Sequence, residues 1–213
     1  MRILGLDTSI SVASVAVSED GRIVAEDFYP RQGTAERSVV KSNHAEIILP
    51  LIDSVLQRAG KGLSDVTGLA VSVGPGSFTG LRIGAAMAIA LSRAARLPLY
   101  AVPTLAAVAE AWSPPEPRRV CATLDARRGR RYAALYEREA PRRWKLLDGP
   151  LDAGPEAVEA LARAAPVVAP DGVDPAGVAV AICRLVAADP ASYALASPAD
   201  LELAYARPAV DAR

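Results

Sequence analysis

Residues 70–102 read "AVSVGPGSFTGLRIGAAMAIALSRAARLPLYAV", and this stretch decides the fold. An apolar run ends at Val73, and a loop of Gly74, Pro75, Gly76, Ser77 and Phe78 follows, with Gly80 just beyond it. Residues 79–96 then carry a helical pattern stopped by Pro98, and the apolar segment "PLYAV" comes next. A strand–loop–helix–strand unit of this kind predicts a right-handed crossover between two parallel strands.

The glycine loop has two readings. Backbone N–H groups at a helix start can hold an anion. A Walker loop, however, needs a Lys-Ser/Thr pair after its last glycine, and here Gly80 is followed by Leu81 and Arg82. The other reading is architectural: Gly74 and Gly76 permit a tight turn, and Ser77 or Thr79 caps the helix. Residue types alone leave both open. Along the helix Gly80, Gly84 and Ala88 recur every four residues, with Ala85 and Ser92 on the same broad face. Small side chains there predict close approach of another helix or backbone. On this reading Gly84→Leu is expected to disrupt association with another chain while sparing the fold.

Upstream, "RILGLDTS" and "SVASVAVSEDGRIVAED" predict three strands, with a hairpin turn at Asp20-Gly21. Residues 30–42 are polar and predict a loop. "NHAEIILPLIDSVLQRAG" predicts a helix, because Ile47, Ile48, Leu51, Ile52, Val55, Leu56 and Ala59 recur on one face. Asn43 is its expected cap, and Pro50 predicts a kink or a later start. This apolar face, joined to the small-residue face of 79–96, predicts a helical contact with a partner.

Downstream, a helix is expected through Trp112, and "SPPEP" at 113–117 marks a boundary. Beyond it "RVCATLDARRGRRYAALYE" repeats the opening pattern, placing Leu124-Asp125 on Leu6-Asp7. The chain thus reads as α/β with a duplicated hairpin unit. Residues 155–189 are alanine-rich helix broken by prolines.

Composition narrows the function classes. A chain of 213 residues suits one large domain or two small ones. No apolar run reaches the roughly 18 residues of a membrane span, and Asp7 interrupts the start too early for a signal peptide. Cys121 and Cys183 are expected to be buried thiols of a reducing cytoplasm. His44 is the one histidine, and no Cys/His cluster exists, so no metal is expected. Residues 118–145 hold ten Lys and Arg against Asp125, Glu137 and Glu139. That basic surplus suits either an RNA contact through Arg127, Arg128, Arg130 and Arg131 or a solvated hairpin. Asp7, Thr8, Ser9 and Asp125 are candidates for a nucleotide cleft, and turn-capping is their alternative role.

The segments "ILGLDTS", "HAEIILPLID", "VSVGPGSFTGLRIG", "PLYAVPTLAAVA" and "TLDARRGRRYAALY" together resemble the bacterial TsaB (YeaZ) family, glycoprotease-like members of the actin/hexokinase/Hsp70 superfamily. The resemblance is dense over residues 1–136 and returns at "LELAYARP". It implies two tandem ribonuclease-H-like (actin-like, ASKHA) domains, at 1–112 and 118–213, the second smaller and degenerate. It also implies a non-catalytic, cytoplasmic subunit in threonylcarbamoyladenosine modification of tRNA. The related TsaD-type catalytic subunit carries a His-x-x-x-His metal motif where this chain has Pro103–Ala109 without histidine. The implied partners are that TsaD-type subunit, a TsaE-type ATPase, tRNA through the complex, and a second copy when alone. No cofactor is implied, with ATP or ADP only at an interface of the assembled complex. The implied contact lies on the helices beginning near His44 and Thr79, with His44, Ile48, Leu51, Ile52, Val55, Thr79, Arg82, Gly84 and Ala88 as its residues. The competing reading is an actin-like ATPase or phosphotransferase built on Asp7, Thr8 and Asp125.

Overall fold

A computed structural model describes residues 1–29, 44–111, 118–163, 165–170 and 177–208. The expected cap Asn43, the loop 30–42, Trp112 and the proline boundary 113–117 lie outside the described residues.

The chain opens with three antiparallel strands, β1 (Arg2–Asp7), β2 (Ala13–Glu19) and β3 (Arg22–Tyr29). Asp20 and Gly21 turn between β2 and β3 with φ of 49° and 78°, the paired positive values that suit a tight hairpin. Helix α1 (His44–Arg58) leads to β4 (Gly68–Ser72), helix α2 (Phe78–Ala95), β5 (Leu99–Val102) and helix α3 (Thr104–Ala111). Strands β4 and β5 add parallel to β1, so the first sheet runs β3-β2-β1-β4-β5. The parallel crossover expected from residues 70–102 is therefore present.

The second sheet repeats this order over four strands and places its fifth on the opposite edge. Strands β6 (Arg119–Arg127), β7 (Arg130–Ala140) and β8 (Arg143–Ala153) are antiparallel, helix α4 (Pro155–Ala162) follows, and β9 (Val167–Val168) lies parallel to β6. Its order is β10-β8-β7-β6-β9, with β10 at Arg207–Pro208. Asp7 is the last residue of β1, and Asp125 lies two residues before the end of β6.

Alternation on β1 sorts the core. Leu4 and Leu6 point to one face and pack with Ile48, Ile52 and Val55 of α1 and Ala88 of α2. Ile3 points the other way, into a cluster shared by α3, helix α5 (Gly177–Ala188) and Val120, Ala122 and Ala134 of the second sheet. Helices α3 and α5 thus fill the space between the sheets. Gly5 admits α5: a Cβ there would stand 2.7 Å from Cys183 Sγ and 2.9 Å from the Ala179 carbonyl oxygen. After α5, a short helix α6 (Pro190–Tyr193) leads to Leu195, whose N–H donates to the Leu99 carbonyl. The last third of the chain therefore returns to the first sheet.

Helix α1 starts at His44 and runs through Pro50 without the later start expected. Glu46 and Pro50 both lie on the exposed side, where water can take the carbonyl that proline leaves without a donor. Helix α2 starts as the loop chemistry predicts, with the Ser77 hydroxyl accepting from Gly80 N–H at 3.2 Å. It ends on Arg96 in the left-handed region, φ 54°.

The helical contact face assigned from periodicity is corrected by this packing. His44, Ile48, Leu51, Ile52, Val55 and Ala88 are all buried within the chain, at most 8% exposed. They cover the chain's own sheet, because an apolar stripe seeks the nearest apolar face regardless of which chain supplies it. Gly84 lies inside as well, and Thr79 and Arg82 alone of the nine are exposed.

Candidate functional site

The site is built where β1 ends and the glycine loop begins. Three glycines of the loop and helix rest directly on Thr8 and Ser9. A Cβ on Gly76 would strike the Ser9 carbonyl, one on Gly80 the Thr8 carbonyl, and one on Gly84 the Thr8 hydroxyl. The every-fourth-residue spacing therefore serves an internal contact between α2 and the β1–β2 turn. Gly84→Leu is expected to damage the fold itself, contrary to the sequence expectation.

Hydrogen bonds lock the same contact. The Ser77 N–H donates to the Ser9 carbonyl at 2.7 Å, and the Thr8 hydroxyl donates to the Gly80 carbonyl at 2.7 Å. Gly74, at φ 111°, exchanges two bonds with Thr104: its N–H donates to the hydroxyl and its carbonyl accepts the Thr104 N–H. Ala204 donates to the Val73 carbonyl, drawing "LELAYARP" against the loop. The amides best placed to hold an anion are thus partly spent on protein partners.

Asp7 lies beneath this clamp. Its Oδ1 accepts from the Ser9 N–H at 3.1 Å, the Ser9 hydroxyl at 2.6 Å and the Ser72 hydroxyl at 2.5 Å. Its Oδ2 is buried without a hydrogen-bond partner among the described residues, as are the Ser14 hydroxyl and His44 Nε2. Ser14 sits directly across from Asp7 on β2, so the two side chains share a face. Burial raises the Asp7 carboxyl above its ordinary range, against the pull of Ser72, Ser9 and His44. Burial also lowers the His44 imidazole, opposed by the Ser11 carbonyl and by Asp7.

Asp7→Asn tests this environment. A raised folded pKa costs stability as pH climbs from the unfolded value of 3.8 through the folded one. The amide variant escapes that loss, because it carries no charge to bury. It is expected to be more stable than wild type at pH 7, with the gap closing as pH falls below about 4. Urea unfolding across that range measures it.

The sequence-predicted residues separate in space. Asp7, Thr8 and Ser9 come together with the loop, and all three are inaccessible, at 0–1% exposed. Asp125 is exposed and accepts the Arg127 N–H at 2.8 Å, a turn-capping role. Asp7, by contrast, is fully buried, so the two carboxylates differ in access to solvent. The arginine group divides too. Arg127 and Arg128 stand exposed at the β6–β7 tip with φ of 68° and 53°. Arg130 is bound to Asp152, Nε to Oδ1 at 2.7 Å and Nη2 to its carbonyl at 2.6 Å, and Arg131 has a buried Nε. The sequence reading does not single out Ser72, Ser14 or Thr104; Ser72 and Ser14 carry a signal, each lying on a strand next to β1. No group of His, Cys, Asp and Glu among the described residues is placed to hold a metal ion. No helix among them is long and apolar enough to cross a membrane.

These features define a mixed α/β protein of two five-stranded sheets, alike over four strands, whose glycine loop clamps the first strand. Residues 25–191 match the family model described as "TsaD: tRNA N6-adenosine threonylcarbamoyltransferase". The Escherichia coli tRNA threonylcarbamoyladenosine biosynthesis protein TsaB is 39% identical over 146 residues, 68% of this chain and 58% of that one. A tRNA N6-adenosine threonylcarbamoyltransferase of Caldicellulosiruptor bescii is 34% identical over 109 residues, 48% of this chain and 32% of that one. The structure of YeaZ from Pseudomonas aeruginosa aligns with TM-score 0.73 at 25% identity, covering 96% of this chain and 99% of that one. The chain belongs to this glycoprotease-like family, on its TsaB (YeaZ) side. It spans 56–63% of the length of the first TsaB relatives it matches.

Proposed function

We propose that this chain is a non-catalytic scaffold subunit of the cytoplasmic machinery that transfers a threonylcarbamoyl group to adenosine in tRNA. It comprises two tandem ribonuclease-H-like (actin-like) units, residues 1–112 and a smaller 118–213, with α5 and the closing segment of the second packed back on the first. The reading is carried by the clamp: Asp7, Thr8 and Ser9 are sealed by Gly76, Gly80 and Gly84, where an actin-like enzyme would need an open phosphate site. The chain needs no cofactor of its own, and ATP or ADP enters only at an interface of the assembled complex.

Its partners are a TsaD-type catalytic subunit, a TsaE-type ATPase and, when alone, a second copy. The docking surface is the outward side of α1 and α2, opposite to the buried stripes. Leu49 is 51% exposed and Phe78 53%, beside Thr79 and Arg82. Glu46 and Asp53 are exposed on α1, Arg82 and Arg93 on α2. A twofold arrangement setting α1 of one copy on α2 of the other would match these charges. Calorimetry with a purified TsaD-type subunit tests the proposal; absence of any complex at micromolar concentrations would refute it.

Contact with tRNA is assigned to the exposed pair Arg127 and Arg128. Reversing both to Glu is expected to weaken tRNA binding by the assembled complex by about tenfold at low salt and to flatten its salt dependence. Unchanged binding in a salt titration would remove RNA from this tip.

A further inference from the structure

A second cluster of charges lies away from the clamp, where the β7–β8 turn meets the first half of the chain. Glu110, in the last turn of α3, is 8% exposed. The Trp144 indole N–H on β8 donates to its Oε2 at 2.8 Å. Burial raises the Glu110 carboxyl above its ordinary range, while the Trp144 bond and the guanidinium groups of Arg138 on β7, Arg142 in the turn and Arg184 on α5 pull the other way. Arg138 also stacks over the Trp144 ring, 4.5 Å from its centroid. Two further ties flank the cluster. Arg142 Nη1 donates to the Gly21 carbonyl of the β2–β3 turn at 3.3 Å, and Arg143 is paired with Asp189 at 2.7 Å, ahead of α6.

One buried carboxylate thus stands among three cations drawn from three different elements. A carboxylate there draws these cations together, and its loss leaves the half-buried Trp144 indole N–H without its acceptor. The ties run from the second sheet to the helices and hairpin of the first. We propose that the β7–β8 turn is a clasp, centred on Glu110 and Trp144, that holds the two sheets at one fixed angle.

The two sheets share the apolar cluster of α3 and α5, and the clasp pins the β7–β8 end of the second sheet beside it, limiting hinge motion. The distance between the halves reports on this directly. Spin labels at Val24→Cys on β3 and Glu159→Cys on α4, both exposed, span the two sheets. Cys121 and Cys183 stay unlabelled, because burial removes access and pushes their thiols up to about 11 and about 12. Labelled chain diluted into excess unlabelled chain excludes distances between copies. The clasped protein is expected to give one narrow distance. Glu110→Gln, which keeps the acceptor and removes the charge, and Trp144→Phe, which removes the donor, are expected to broaden it. Both are also expected to speed amide exchange in β8 about tenfold or more while leaving β1 unchanged. Should Glu110→Gln fail to fold, Trp144→Phe and the exposed change Arg142→Ala decide. A broad distance in the otherwise unaltered chain, or an unchanged one in folded variants, overturns the clasp.

Discussion

Gly80→Ala is expected to destabilise the protein by about 3 kcal/mol, the upper range for forcing an atom into a packed interior. For a chain of this size that corresponds to a fall of roughly 10 °C in Tm. The cause is one methyl group. Its carbon would overlap the Thr8 carbonyl, which is backbone in a central strand turn and cannot rotate aside. Relief would require α2 to move off β1. That motion breaks the Ser77–Ser9 and Thr8–Gly80 bonds and disturbs Leu81, which is wholly buried. Ala90→Leu, on the exposed side of the same helix, serves as the control and is expected to change stability by no more than about 0.5 kcal/mol. Calorimetric melting of both variants checks the pair. Equal Tm values would mean that the loop lifts readily, and the clamp would lose its architectural meaning.

The two sides of α1 are expected to answer differently to the same chemistry. Val55→Asp places a carboxylate against Ile48, Ile52 and the first sheet, where Val55 is fully buried. A loss of about 4 kcal/mol or more is expected, enough to unfold a marginal protein. Leu49→Asp, six residues earlier on the outward side, is expected to leave folding unchanged and to weaken self-association and TsaD-type binding by about 30-fold or more. Circular dichroism and sedimentation analysis separate the outcomes. If Leu49→Asp associates normally, the outward side of α1 is not the docking surface.

Much of this fold could be read from local pattern. The strand–loop–helix–strand unit, the Asp20-Gly21 turn, the Ser77 cap and the repeat of Leu6-Asp7 in Leu124-Asp125 all rest on neighbours close in sequence. Direction was harder to read. A periodic stripe such as Ile48-Leu51-Ile52-Val55, or Gly80-Gly84-Ala88, says that something packs there without saying what. Both stripes were assigned to a partner and both turned out to serve the first sheet. Arg130 was grouped with free cations because its partner, Asp152, lies on another strand. The return of α5 to Gly5, and the meeting of Glu110 with Trp144, depend on contacts between the two halves that no local spacing encodes. Asp7 was recognised, but its lone unpaired oxygen became visible only with Ser9, Ser72 and Ser14 placed around it.

The decisive measurement is threonylcarbamoyl transfer to tRNA by a complex reconstituted from this chain with TsaD-type and TsaE-type partners. If the chain supplies a surface and no reacting group, Asp7→Asn supports turnover like wild type, while Leu49→Asp loses turnover in step with lost assembly. A complex that forms normally with Asp7→Asn yet fails to modify tRNA would show that this buried carboxylate takes part in the chemistry.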